Sequence, residues 1–275
     1  ALEHCEFLVV QDIFPTETAQ LADVILPGTT FVEKDGTFTG TDRRIQLVRQ
    51  AIEPLGNSRH DWAIIADLGR RMVGAGNGAP FACWEYSSPA AVMDEIAALT
   101  PIYGGSSYGR LEEEGFLQWP VPTADHPGTS YLHKDRFSRG LGHFTPVEFK
   151  EPAEAPDEEY PFTLTTGRIM FHYHTGSMTR RSEKLEQEVP EGYVEINPED
   201  ANRLGLGKSE QVRVVSRRGE IETRAWITRR VPPGTVFIPF HFAEAAANLL
   251  TNPALDPVAK IPEYKVAAVR VEKVA

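Results

Sequence analysis

Val212-Arg213-Val214-Val215-Ser216-Arg217-Arg218-Gly219-Glu220-Ile221-Glu222-Thr223-Arg224-Ala225-Trp226-Ile227-Thr228 reads as two strands, Val212–Ser216 and Ile221–Thr228, joined by a turn carrying Gly219. β-Branched and aromatic residues either side of a polar, glycine-bearing turn are the hairpin signal. Working outward, Phe162–Thr166, Tyr193–Ile196, Thr235–Phe240 and Ala267–Glu272 are further short strand-like runs. Asn197-Pro198-Glu199-Asp200 opens one short helix that ends at Leu204-Gly205. Short strands with one interposed helix predict a small, mostly-β closed barrel over 161–275, because closure removes exposed sheet edges.

The preceding half follows different rules. Residues 1–147 predict an α/β region. Phe7–Val10 is an apolar strand, Thr16–Ala22 a helix, and Val24-Ile25-Leu26 a second strand stopped by Pro27-Gly28. Asp61 is placed to cap a helix from Trp62 to about Val73, with Trp62, Ile65, Leu68 and Met72 on one face. Gly74-Ala75-Gly76-Asn77-Gly78 stops it, and Pro89–Leu99 is another helix with proline in its first turn. Residues 101–147 predict a long surface excursion in which Phe116, Trp119, Tyr131 and Phe137 require burial. The acidic, Pro-rich stretch 148–160 is the expected linker between the domains. The abrupt start in an apolar strand leads us to expect a piece of a longer polypeptide.

The 275 residues are 41% hydrophobic and 24% charged, values of an ordinary globular protein. A net charge of −11 argues against bulk attraction to nucleic acid, and no apolar run is long enough to span a bilayer. Without a targeting signal, a cytoplasmic location is expected. Cys5 and Cys83 lack metal-type spacing, so a zinc site or an iron–sulfur cluster held by this chain alone is not expected. No nucleophile elbow, P-loop or complete dinucleotide fingerprint occurs, and no catalytic residue is assigned.

The chemistry concentrates between Thr165 and Arg181. Thr166, Gly167, Arg168, Ile169, Met170, Phe171, His172, Tyr173, His174, Thr175 and Ser177 form a run without an acid, rich in glycine, hydroxyl, imidazole and guanidinium groups. Glycine admits close backbone approach, and arginine forks match phosphate, so a large polar phosphate-bearing ligand suits it. A basic surface loop has the same composition. His172 and His174 share one face of an extended segment, but no third ligand lies nearby, so hydrogen bonding to an anionic ligand is preferred over a metal. Gln11 and Asp12 end a strand, where α/β sheets bind ligands, although Asp12 equally suits a helix cap. The run Glu33–Arg44 clamps phosphate or makes surface ion pairs. Asn248 and Lys265, near Phe240, stand among small residues that allow tight contact.

Taken in order, these segments resemble the C-terminal part of molybdopterin-dependent oxidoreductases of the dimethyl sulfoxide reductase family. The carriers are Val10-Gln11-Asp12, Ala22-Asp23-Val24-Ile25-Leu26-Pro27, Glu33-Lys34-Asp35-Gly36-Thr37-Phe38, Thr166-Gly167-Arg168, His172 to Thr179 and Asn248-Leu249-Leu250-Thr251. Gly115-Phe116-Leu117-Gln118-Trp119-Pro120 and His126-Pro127-Gly128-Thr129 look like the formate dehydrogenase catalytic (alpha) subunit. Nitrate reductases share the cofactor motifs and resemble that middle segment less. A non-catalytic module that stores or delivers the cofactor is the alternative from another class.

The resemblance implies a partial Rossmann-like region followed by a double-psi β-barrel. It also implies bis-molybdopterin guanine dinucleotide around molybdenum or tungsten. Gln11, Asp12, Lys34 and Asp61 would contact one dinucleotide, and Thr166 through Thr175, Ser177, Asn248 and Lys265 the cofactor from the barrel. Phe240 would lie near substrate or pterin. The implied partners are the N-terminal part of the subunit, which would carry the metal's protein ligand and an iron–sulfur cluster, electron-transfer iron–sulfur subunits, and formate as substrate. Gly40 and Ala267 depart from the commoner family residues.

Overall fold

The computed structural model describes residues 1–74 and 84–274, in two compact units, Ala1–Thr145 and Pro146–Ala275. The glycine-rich stop from residue 75 onward and Cys83 lie outside the described residues.

In the first unit, β1 (Val9–Asp12) and β2 (Val24–Pro27) run parallel, Val9 opposite Val24, with α1 (Glu17–Gln20) between them. Thr16 caps α1 by accepting the Ala19 N–H at 3.3 Å. β3 (Gly36–Thr39) and β4 (Arg44–Val48) form a hairpin, and α2 (Asp61–Gly74) and α3 (Pro89–Leu99) follow. α4 (Tyr108–Glu114) leads into β5 (Phe116–Gln118), which pairs antiparallel with β4. The small core is Ile45, Met93, Leu111, Leu117 and Val121.

Two expectations are corrected here. The stretch 101–147 is not wholly a loop. Ser107 caps α4 and Gly115, at φ +79°, ends it, making a helix too short for periodicity to reveal. Three aromatics expected to be buried, Phe116, Tyr131 and Phe137, are exposed, whereas Trp119 packs against Tyr103. On α2 the buried side chains are Ile64 and Ala66, while Ile65, Leu68 and Met72 are about half exposed. Helical spacing tells which residues share a face; it does not tell which face the neighbouring elements cover. The apolar strands β1 and β2 likewise leave Val9, Val24 and Ile25 exposed.

The second unit is the expected barrel. β6 (Phe162–Gly167) is followed by α5 (Glu183–Glu188), β7 (Tyr193–Ile196), α6 (Pro198–Arg203), β8 (Gln211–Ser216), β9 (Glu220–Ile227), β10 (Thr235–Pro239) and β11 (Ala267–Lys273). The strands close in the order β10-β6-β11-β8-β9-β7. The β6–β10 and β7–β9 pairs are parallel and the others antiparallel, so the barrel is mixed. Alternate residues point inward, as the pleat requires: Phe162, Leu164 and Thr166 on β6, and Ile221, Thr223 and Ala225 on β9. They meet Val194, Ile196, Val212, Val214, Val236, Ile238 and Val269 in one apolar interior.

Local chemistry fixes the connections. Asn197 caps α6 through the Glu199 N–H and also donates to the Val231 carbonyl at 2.8 Å. The buried Asp200 accepts the Gly234 N–H at 2.7 Å and pairs with Arg203. The acidic stretch before β6 is strapped to the β8–β9 turn: Glu154 receives Arg217 at 2.6 Å and Arg218 at 2.8 and 3.0 Å. No described helix is long and apolar enough to cross a membrane.

Candidate functional site

Each unit carries its own cluster of polar groups. In the first, Gln11 and Asp12 end β1, Gly28 and Thr29 follow β2, Lys34 follows a short turn, and Asp61 opens α2. The turn is a capping box in which Glu33 accepts the Thr30 N–H at 2.8 Å. Glu33 also accepts the Leu55 N–H at 2.7 Å, and these donors hold its carboxyl below the usual value. Asp61 accepts Gln11 Nε2 at 2.7 Å and the Lys34 ammonium, which also reaches the Thr29 carbonyl at 3.0 Å. Burial alone would raise the Asp61 carboxyl. Lys34 and Gln11 outweigh it, so the group stays ionised below its ordinary value.

Asp61 is thus not a free cap; it is the acceptor that joins three elements. A Cβ on Gly28 would sit 2.8 Å from Asp61 Oδ1, so only glycine lets the β2 end approach. The buried Thr29 hydroxyl has no partner among the described residues. Asp12 Oδ1 accepts the Ile13 and Phe14 N–H groups, at 2.7 and 3.1 Å, in the turn after β1; Thr16, not Asp12, caps the helix that follows.

In the second unit the cluster lies where the parallel strands β6 and β10 end side by side. The Phe240 N–H donates to the Gly167 carbonyl at 3.1 Å, and a Cβ on Gly167 would meet the Phe237 ring at 2.7 Å. Lys265 donates to the Thr166 carbonyl at 2.6 Å, and the Thr166 hydroxyl donates to the Tyr264 carbonyl at 2.8 Å. The Arg168 guanidinium lies 5.9 Å and the Lys265 ammonium 6.0 Å from the Phe240 ring centre. Arg168, Met170, Tyr173, His174 and Thr175 are exposed; Ile169, Phe171 and Ser177 are half-buried. Thr175 and Ser177 share a hydroxyl bond of 3.0 Å. Asn248 is exposed beyond β10, its carbonyl accepting the Thr251 hydroxyl. A groove of about 640 Å³ opens beside Arg168 to Phe171, with Glu195 and Trp226 in its wall.

Two expectations change. His172 is buried, with Nε2 on the Val189 carbonyl at 2.8 Å and Nδ1 on the Thr179 hydroxyl at 3.2 Å. The Thr166 hydroxyl is also committed internally. Neither group is available to an incoming anion, and both shape the segment instead. Spacing put His172 and His174 on one face, but His174 adopts φ +49°, which turns the chain between them. Sequence reasoning also gave no place in the site to Gly28, Thr29 or His241. The only signal for His241 was its place between two aromatics at a strand end. No cluster of side chains able to hold a metal occurs among the described residues, and Cys5 is free and exposed.

Within the barrel unit, the exposed donors of an acid-free, glycine-rimmed segment have the chemistry that suits a phosphate-bearing ligand. Residues 162–268 match the molydopterin dinucleotide binding domain, and residues 1–71 match the molybdopterin oxidoreductase domain. The chain thus carries a molydopterin dinucleotide binding domain and a stretch that matches a molybdopterin oxidoreductase domain. It is 51% identical to the F420-dependent formate dehydrogenase subunit alpha of Methanocaldococcus jannaschii, covering 100% of this chain and 40% of that protein. A putative formate dehydrogenase of Staphylococcus aureus is 39% identical over 99% of this chain and 27% of its own length. Acetylene hydratase from Pelobacter acetylenicus shares the fold, with a TM-score of 0.72 at 20% identity over 98% of this chain and 40% of that one. The chain therefore spans less than half the length of these proteins and holds a molydopterin dinucleotide binding domain.

Proposed function

We propose that this chain grips bis-molybdopterin guanine dinucleotide within a formate dehydrogenase, which oxidises formate to carbon dioxide and passes two electrons onward. The observation that carries the proposal is the acid-free display of Arg168, His174 and Thr175 at the joined ends of β6 and β10. These side chains and the backbone N–H groups around Gly167 would bind the phosphates and ribose of one dinucleotide. Lys34, Gln11 and Asp61 would serve the other, ammonium toward phosphate and carboxylate toward ribose or guanine. Lys265 would hold the Thr166 backbone in place, and Phe240 would wall the pterin side. When bound, the molybdenum or tungsten centre supplies the redox chemistry, while the chain binds, orients and excludes water.

In this proposal the metal's protein ligand and an iron–sulfur cluster come from the remaining portion of the subunit. Separate iron–sulfur subunits take the electrons, and the assembly is cytoplasmic. Formate is preferred to nitrate because several of the matched relatives are named formate dehydrogenases.

The test is cofactor content of the purified holoenzyme. Arg168→Ala and Lys265→Ala should each lower molybdenum or tungsten and acid-released guanine per chain, and formate-dependent dye reduction should fall in proportion. Unchanged metal and guanine content would defeat the ligand assignment. Full cofactor with no turnover of formate would defeat the substrate.

A further inference from the structure

The segment Ile169–Thr179 is held from beneath by an imidazole that the family motifs do not explain. His241 is 1% exposed and stands just past β10. The Ile169 N–H can only donate, so the Nε2 it reaches at 3.0 Å must be unprotonated. The other nitrogen, Nδ1, faces the His174 carbonyl, which can only accept, so Nδ1 carries the proton. One neutral ring thus ties residue 169 to residue 174 and fixes its own tautomer.

The second tie lands on a strained residue. His174 sits at φ +49°, a left-handed conformation that a non-glycine residue rarely keeps unless its surroundings hold it. Below, His172 donates from Nε2 to the Val189 carbonyl, and its Nδ1 faces the Thr179 hydroxyl, which accepts the Tyr173 N–H at 3.1 Å. The two rings are 6.0 Å apart. Everything that turns outward between them, Tyr173, His174 and Thr175, hangs on these contacts.

We propose that His241 is the positioning residue of the cofactor segment: by bridging the Ile169 N–H and the His174 carbonyl it holds His174 in its left-handed conformation, and so sets Arg168, His174 and Thr175 at their ligand-facing positions. The role for ligand binding rests on the proposed function; the clasp itself does not.

Two near-isosteres divide the clasp. In His241→Asn the amide nitrogen overlays Nδ1, so the His174 tie survives and the Ile169 tie is lost. In His241→Gln the side-chain oxygen overlays Nε2, so the Ile169 tie survives and the His174 tie is lost. Amide exchange of the purified protein should quicken about tenfold at Ile169 in His241→Asn and stay near wild type there in His241→Gln. The Cα and Cβ shifts flanking residue 174 should move only in His241→Gln, and His174→Gly in that background should return them, since glycine takes positive φ unaided. Guanine per chain is measured in parallel and should fall at least severalfold in both His241 variants.

Identical responses of the two variants at Ile169 and at residue 174 would overturn the clasp. Selective loosening with full guanine content would overturn the positioning role. Wild-type protein that carries no guanine would instead overturn the cofactor reading and leave the clasp standing.

Discussion

Replacing Glu154 by glutamine should cost the barrel unit about 2 kcal/mol at neutral pH, and the loss should fade in acid. The Glu154 side chain is 11% exposed and receives three guanidinium hydrogen bonds, from Arg217 at 2.6 Å and from Arg218 at 3.0 and 2.8 Å. Charge-assisted bonds contribute about 1.5–3 kcal/mol each in favourable settings. Glutamine keeps one acceptor and turns its amide toward a guanidinium, and Arg217 is itself partly exposed and screened, so about 2 kcal/mol is the expected net. Burial would raise the Glu154 carboxyl, but Arg218 and Arg217 overcome it and hold the group below the ordinary glutamate value of 4.5. A depressed folded-state value means that the unfolded chain binds the proton more readily. The stabilisation is therefore complete above pH 4.5 and is lost as pH falls through the folded-state value. Urea titrations of wild type and variant at neutral and acidic pH read this directly. Equal stability at neutral pH, or a gap that persists unchanged in acid, would refute the strap.

Asp200→Ala removes the acceptor of the Gly234 N–H and the partner of Arg203, and should lower the unfolding free energy by about 2–3 kcal/mol in a denaturant titration. Gly167→Ala places a methyl group 2.7 Å from the Phe237 ring and should cost about 1–3 kcal/mol, partly recovered by Phe237→Leu in the same chain. Lys34→Met leaves burial of Asp61 unopposed by its ammonium partner. The Asp61 carboxyl should then titrate at higher pH, measured by carbon-detected NMR, and an unmoved titration would contradict the assigned pair.

The barrel was legible because its information is local and repeated: short β-rich runs, a glycine-bearing turn, and Asn197-Pro198 at a helix start. Strand ends fell within a residue or so of expectation, for instance Ala267–Lys273 against Ala267–Glu272. The first unit was harder to read. Alternative faces of α2 differ little in sequence, and α4 is shorter than one hydrophobic repeat needs. Gly219 was read as a hairpin glycine, yet it is not among the positive-φ residues; its Cβ would lie 3.1 Å from the Leu249 carbonyl, so close approach is the cause. For the candidate site, residue types singled out the Thr165–Arg181 segment, but not which imidazole faces outward. That distinction depends on His241 and Val189, which are distant in sequence, and on a backbone turn at His174 that no local pattern announces.

The way the cradle is tied has a consequence for when it can exist. Lys265 reaches Thr166 across 99 residues and His241 reaches Ile169 across 72. β6 lies between β10 and β11, and β11 also closes onto β8. Until Ala267–Lys273 has joined, β6 and β8 each keep an open edge, and the segment after Gly167 lacks its supports. Such long-range pairings are slow to form, because loop entropy is lost before contacts repay it. The segment after Gly167 therefore takes its shape only once the barrel has closed.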